Sequence, residues 1–260
     1  MEHYLWLSLL GFVVGAFGTL IGAGGGFILM PVLLLLYPHD TPDTLTSISL
    51  SVTFANAFSG SLAYGLMKRI DYKYGLVFSG ATIPGAVLGA LATHFIPRRT
   101  FDLIFGILLV IASAVIYMTP PKERDDIGNR RVRLSFLQLL FGIVISIAVG
   151  FISSFFGIGG GLIHVPVLAC ILHFPVHLAT ATSQFILAIT TFVGILAHAM
   201  SGTFQYDTGR ILFLALGVLP GAQVGAFLSS KIKGNTIIRI LAVALALVAV
   251  RLLFSSALEF

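Results

Sequence analysis

The amino-acid sequence predicts an all-α integral membrane protein. Two tandem homologous repeats make it up, each a glycine-broken, re-entrant helix followed by three transmembrane helices, with the repeats in inverted topology. Three observations lead there. Only 10% of the 260 residues are charged while 57% are hydrophobic, with mean hydropathy +1.03. A soluble domain carries about 25% charged residues, so this chain cannot clothe a water-facing surface. Second, the fifteen Lys and Arg fall between long apolar runs. Third, the chain repeats itself. Cys170 is the only cysteine, which excludes a disulfide scaffold.

The runs are 4–36, 45–67, 74–96, 101–119, 134–172, 178–200, 210–230 and 236–257. Six are close to the ~20 residues that cross a ~30 Å hydrocarbon core. Run 4–36 has 33 residues and run 134–172 has 39; as a single helix the first would be about 50 Å long. Each holds three consecutive glycines, Gly24–Gly26 and Gly159–Gly161. Glycine weakens a helix by about 1 kcal/mol per residue. Each overlong run is therefore predicted to be two shorter helices meeting at the glycines. The first run lacks a basic leading region and is too long for a cleavable signal, so it is expected to be retained.

The duplication is read from four blocks in the same order. GAGGGFILMP at Gly22–Pro31 matches GIGGGLIHVP at Gly157–Pro166, offset 135. LTSIS at Leu45–Ser49 lies opposite TATS at Thr180–Ser183, and Tyr72–Gly75 opposite Tyr206–Gly209, both offset 134. PGAVLGA at Pro84–Ala90 matches PGAQVGA at Pro220–Ala226, offset 136. The boundary is the polar stretch Pro120–Arg133. The predicted organisation is a first membrane repeat over 1–119, a linker over 120–133 and a second membrane repeat over 134–260. With re-entrant runs, one face of the membrane carries eleven Lys and Arg and the other four; with single crossings the split is ten to five. Either way the cation-rich linker is expected in the cytoplasm. Run length and the inversion common in duplicated transporters favour the re-entrant form.

A helix restarting after each glycine run exposes N–H groups without intrahelical partners at the positive end of its dipole. Such an end accepts an anion. The competing use of the glycines is close helix packing. None of the ten acids lies in the middle of a run, which argues against a cation as cargo. Candidate anion-binding residues are Gly24, Gly25, Gly26, Ser49, Asn56, Gly159, Gly160, Gly161, Ser183 and Gln184. Thr46 is matched with Thr180 and Ser47 with Ala181, and Gln223, His164 and His198 are further polar groups within apolar runs. His173 and His177 are i,i+4, but Pro175 between them breaks a shared helix face and puts them in a loop. No metal site, cofactor or catalytic residue is predicted, nor any nucleic-acid partner.

The doubled blocks GAGGGFILMPVL and GIGGGLIHVPVL, the Thr-Ser elements after each, and the two PGAxxGA blocks resemble the TauE/SafE sulfite exporter family over roughly residues 10–257. The resemblance implies a secondary transporter of the plasma membrane that exports sulfite or small organosulfonate anions. It implies the lipid bilayer and a small anion as partners, and leaves a homo-oligomer open. The alternative function is a passive anion channel or a structural membrane protein.

Overall fold

The computed structural model describes residues 2–118, 132–200 and 208–233, and Thr236, Arg239, Val243, Ala246, Leu247 and Val250. Every element among the described residues is helical. In order they are α1 (Glu2–Ile21), α2 (Gly26–Leu36), α3 (Pro42–Leu66), α4 (Tyr72–Thr93), α5 (Arg98–Met118), α6 (Phe136–Phe156), α7 (Gly161–Pro166), α8 (Val176–Met200) and α9 (Thr208–Ser229). A π-helical turn, Val167–Ile171, continues α7. Of the linker 120–133, only Val132 and Arg133 are described, and most of run 236–257 lies outside the described residues.

Each overlong run is broken at its glycines: α1 stops at Ile21 and α2 starts at Gly26, α6 stops at Phe156 and α7 starts at Gly161. Helix starts elsewhere use ordinary caps. Thr41 accepts from the Thr44 N–H ahead of α3, Asp71 from that of Tyr74 ahead of α4, and Ser135 forms a reciprocal box with Gln138 ahead of α6. His173 sits between α7 and α8 as expected, but His177 is in the first turn of α8, because the helix resumes directly after Pro175, a residue well suited to a helix start.

Two close helix pairs frame the molecule. In one, α1 and α9 run in the same direction: Ser8 donates to the Phe213 carbonyl, and a Cβ at Gly217, Gly221 or Gly225 would overlap the carbonyls of Ser8, Phe12 and Ala16. In the other, α4 and α6 also run together, with Gly85 and Gly89 against Ile147 and Phe151. Small residues let backbones touch where lipid gives no hydrophobic drive to associate. Between the pairs, α3 and α8 cross antiparallel. Gly60 meets Gln184, Phe54 meets Phe192 with the ring centres 5.5 Å apart and the rings tilted, and Leu50 reaches Gly194.

Four of these helices, α4, α6, α8 and α9, are long and apolar enough to cross a membrane, and α1, α2 and the α7 segment add shorter apolar stretches. Large apolar side chains such as Leu9, Leu62, Leu88, Leu140 and Phe227 stand exposed on the bundle surface, where lipid covers them. The core beneath is closed by Phe27, Phe101, Phe105, Phe155 and Phe156; the Phe105 and Phe156 rings stack at 5.1 Å.

Candidate functional site

The centre of the molecule is where the two glycine loops meet. Gly22, Gly24 and Gly25 hold φ of 80, 78 and 75°, and Gly157, Gly159 and Gly160 hold 68, 81 and 74°. Only glycine takes this left-handed region without penalty. The loops therefore turn in the same way and bring the starts of α2 and α7 inward. Neither helix has a side-chain N-cap, since Gly25 and Gly160 occupy that position. The contacts between the loops are reciprocal. A Cβ at Gly26 would sit 2.9 Å from the Gly157 carbonyl oxygen and 2.8 Å from that of Ile158; one at Gly161 would sit 2.5 Å from that of Gly22. The two glycine loops are thus brought to one place, with Gly26 and Gly161 each packed against the backbone of the opposite loop and Gly24, Gly25, Gly159 and Gly160 against side chains of the surrounding helices.

Two serines brace this meeting. Ser49 on α3 donates to the Gly157 carbonyl at 2.6 Å, and Ser183 on α8 donates to the Gly22 carbonyl at 3.0 Å. Both hydroxyls are fully buried. Each proton is thus engaged by the opposite loop, so neither serine offers a donor to an anion here. Their role in this geometry is to tie loop to helix. The sequence pairing could not reveal this, because a hydroxyl opposite a hydroxyl says nothing of which carbonyl lies between.

Asn56 and Gln184 come together in a third arrangement, around Thr19 at the end of α1. The Asn56 amide nitrogen donates to the Gly24 carbonyl at 3.1 Å, and its oxygen accepts from Thr19 and, at 3.1 Å, from Gln184. Gln184 also donates to the Thr19 hydroxyl at 3.1 Å, which leaves its Oε1 buried with no partner. Thr53 was not singled out from the sequence. Its hydroxyl is buried, has no hydrogen-bond partner, and lies 2.6 Å from where a Cβ on Gly26 would stand, while its methyl faces Gly24 and Gly159. The signal that could have found it is an asymmetry: at offset 134, Thr53 falls opposite Leu187, which crowds the same glycines from α8.

Most of the remaining polar residues of the runs lie off this centre. Gln223 donates to Ser59 at 2.8 Å between α9 and α3. His164 meets Ser146 at 3.2 Å between α7 and α6, and Thr82 meets Thr190 at 2.7 Å. Thr46 and Thr180 pack against Gly157 and Gly22. At one end of the bundle a cleft of about 540 Å³ opens between the α2–α3 loop and the turn from α4 to α5. Arg210 pairs there with Asp40 and lies 3.7 Å over the Tyr37 ring. Arg98 bonds Asp102 and the carbonyls of Asp40 and Leu34.

A bundle of apolar helices with buried polar groups and broken helices at its centre defines a multi-pass membrane protein. The comparisons agree and narrow this. The profile of the family described as "Sulfite exporter TauE/SafE" matches residues 7–252, and the chain belongs to that family. It is 30% identical over 272 aligned positions to "Probable membrane transporter protein YunE" of Bacillus subtilis, covering 96% of this chain and 97% of that one. It is 30% identical over 239 positions to a "Probable membrane transporter protein" of Methanocaldococcus jannaschii, covering 87% and 86%. No solved structure matches. The chain is accordingly a multi-pass transporter of the plasma membrane.

Proposed function

We propose that this transporter is a secondary carrier that exports small sulfur oxyanions, sulfite or organosulfonates, and that it binds them where the two glycine loops meet. The observation that carries the reading is the uncapped start of α2 facing the opposite loop, with the unpaired Thr53 hydroxyl beside it. N–H groups of Gly24–Gly26 and Gly159–Gly161 would hold the oxygens once the loops part and the Gly24 N–H leaves the Gly18 carbonyl. The Thr53 hydroxyl would donate to the anion, and Gln184 Oε1 would accept from an O–H or N–H of a protonated or amino-bearing anion. Asn56, Ser49 and Ser183 would hold the loops in shape. No carboxylate competes for this place among the described residues.

The same reading makes the two repeats inverted and the glycine segments re-entrant. Four contacts support it. Ser8 at the start of α1 lies beside the start of α9, and so does Tyr37 after α2, under Arg210. Leu134 before α6 bonds Tyr74 at the start of α4, and Phe174 after the α7 segment packs on the same ring at 5.7 Å. Each segment thus ends near the level where it began, and the two do so at opposite ends of the crossed α3 and α8.

The test is exchange in proteoliposomes: labelled sulfite or taurine should enter against unlabelled anion inside, saturably, with sulfate and acetate as comparators. Conductance without saturation or counterflow would refute a carrier. Exchange of acetate equal to that of the sulfur anions would refute the substrate class.

A further inference from the structure

One cluster of titratable groups lies outside the glycine centre. Asp43, in the first turn of α3, is the one buried carboxylate among the described residues. Its Oδ2 lies 3.0 Å from Nδ1 of His94, just past α4, and its Oδ1 lies 3.9 Å from Nδ1 of His198, in the last turn of α8. The side chain of His94 is 59% exposed and opens on the cleft, whereas that of His198 is fully buried. On its other edge His198 Nε2 faces the Ser154 carbonyl at 3.5 Å, three residues before Gly157. Water, His94, Asp43, His198 and the second glycine loop therefore lie in sequence. The other charged groups of this end include Arg98, bonded to Asp102 and two carbonyls, Arg99 beside it, Arg210, paired with Asp40, and His39, which lines the cleft.

The other repeat has the same frame with different chemistry. At offset 134, Tyr64 on α3 corresponds to His198 on α8, and at offset 135 Thr19 corresponds to Ser154. Tyr64 donates to the Thr19 carbonyl at 2.8 Å, in the place of the His198–Ser154 approach. Asp43 corresponds to His177, so a histidine stands where this repeat has the carboxylate. A phenol ordinarily titrates near pH 10 and an imidazole near 6.5. Among the described residues, only the Asp43 end joins a buried carboxylate to two imidazoles.

We propose that Asp43, His94 and His198 form a proton-binding site at the outer mouth of the transporter, and that an anion passes this mouth when the site holds a proton. The proposal rests on the inverted-repeat, anion-carrier reading above. With both imidazoles neutral the cluster carries one buried negative charge, which repels an anion on its way between the cleft and the glycine loops. One bound proton brings the cluster to zero and removes that repulsion. Little water screens it there, so a single unit charge changes passage by about tenfold.

The experiment is exchange of a labelled organosulfonate, whose charge is constant over the range, at equal pH on both sides of proteoliposomes, from pH 7.5 to 5.5. Wild type should accelerate about tenfold as the pH falls. Asp43→Asn removes the charge permanently, so it should exchange at the acid rate at both ends of the range. His94→Gln and His198→Gln should flatten the profile, and they serve if the Asp43 variant does not fold. Wild-type exchange that is independent of pH, or an Asp43→Asn variant with the wild-type profile, overturns the proton site and leaves the carrier reading standing. No wild-type exchange of any sulfur anion at any pH overturns the carrier reading, and the proton site with it.

Discussion

Replacing Gly26 or Gly161 by alanine sets two effects of opposite sign against each other. Both glycines start a helix with ordinary negative φ, since neither is among the left-handed glycines. Helix propensity alone therefore favours alanine, by at most about 1 kcal/mol. Packing opposes it. At Gly26 the new methyl would stand 2.6 Å from the Thr53 hydroxyl, 2.8 Å from the Ile158 carbonyl and 2.9 Å from the Gly157 carbonyl. Two of these three neighbours are backbone and cannot rotate away. Making room displaces the loop whose Gly157 carbonyl Ser49 holds. Overpacking of this kind costs about 1–3 kcal/mol, and the strained hydrogen bond adds about 1 kcal/mol. The net is a loss of about 2 kcal/mol, or several degrees in melting temperature for a chain of this size. Gly161→Ala, against the Gly22 carbonyl and Ala23 Cα, should lose at least as much. Thermal melting of the detergent-purified protein reads both. A rise in melting temperature in either variant would mean that helix propensity wins, and that the two loops do not meet as described.

Three further outcomes are expected. Thr53→Val keeps the shape and removes a hydroxyl that has no partner, so melting should change little while anion affinity falls about tenfold, the loss of one hydrogen bond to a charged group; unchanged affinity by calorimetry would place the site elsewhere. Ser183→Ala leaves the Gly22 carbonyl buried and unpaired, which should destabilise by about 1–3 kcal/mol, and combining it with Ser49→Ala should give a non-additive loss in a double-mutant cycle. With Cys170 replaced, a cysteine at Thr44 should react with an impermeant thiol reagent added to intact cells and one at Lys68 should not, because α3 runs between them and the cation-rich end lies inside; labelling at Lys68 alone would reverse the orientation.

Membrane residence, the helical class and the break in each overlong run were legible in the sequence, for one reason. Hydrocarbon offers the backbone no partners, so apolar length fixes helices and only a buried glycine stretch can interrupt them. The same pressure makes the glycine blocks stand out, and through them the family. Tertiary structure decided where each proton goes. Ser49 and Ser183 looked like anion donors because they recur at matching positions, yet each reaches a carbonyl more than a hundred residues away. A hydroxyl's partner depends on which loop lies across from it, and no local pattern encodes that. Asn56 and Gln184 are costly to bury, and that cost marked them; only the fold shows them sharing Thr19. Asp43, His94 and His198 lie at the ends of three helices, 51 and 104 residues apart along the chain. Nothing in composition or spacing joins them, because their meeting follows from how α3, α4 and α8 are packed.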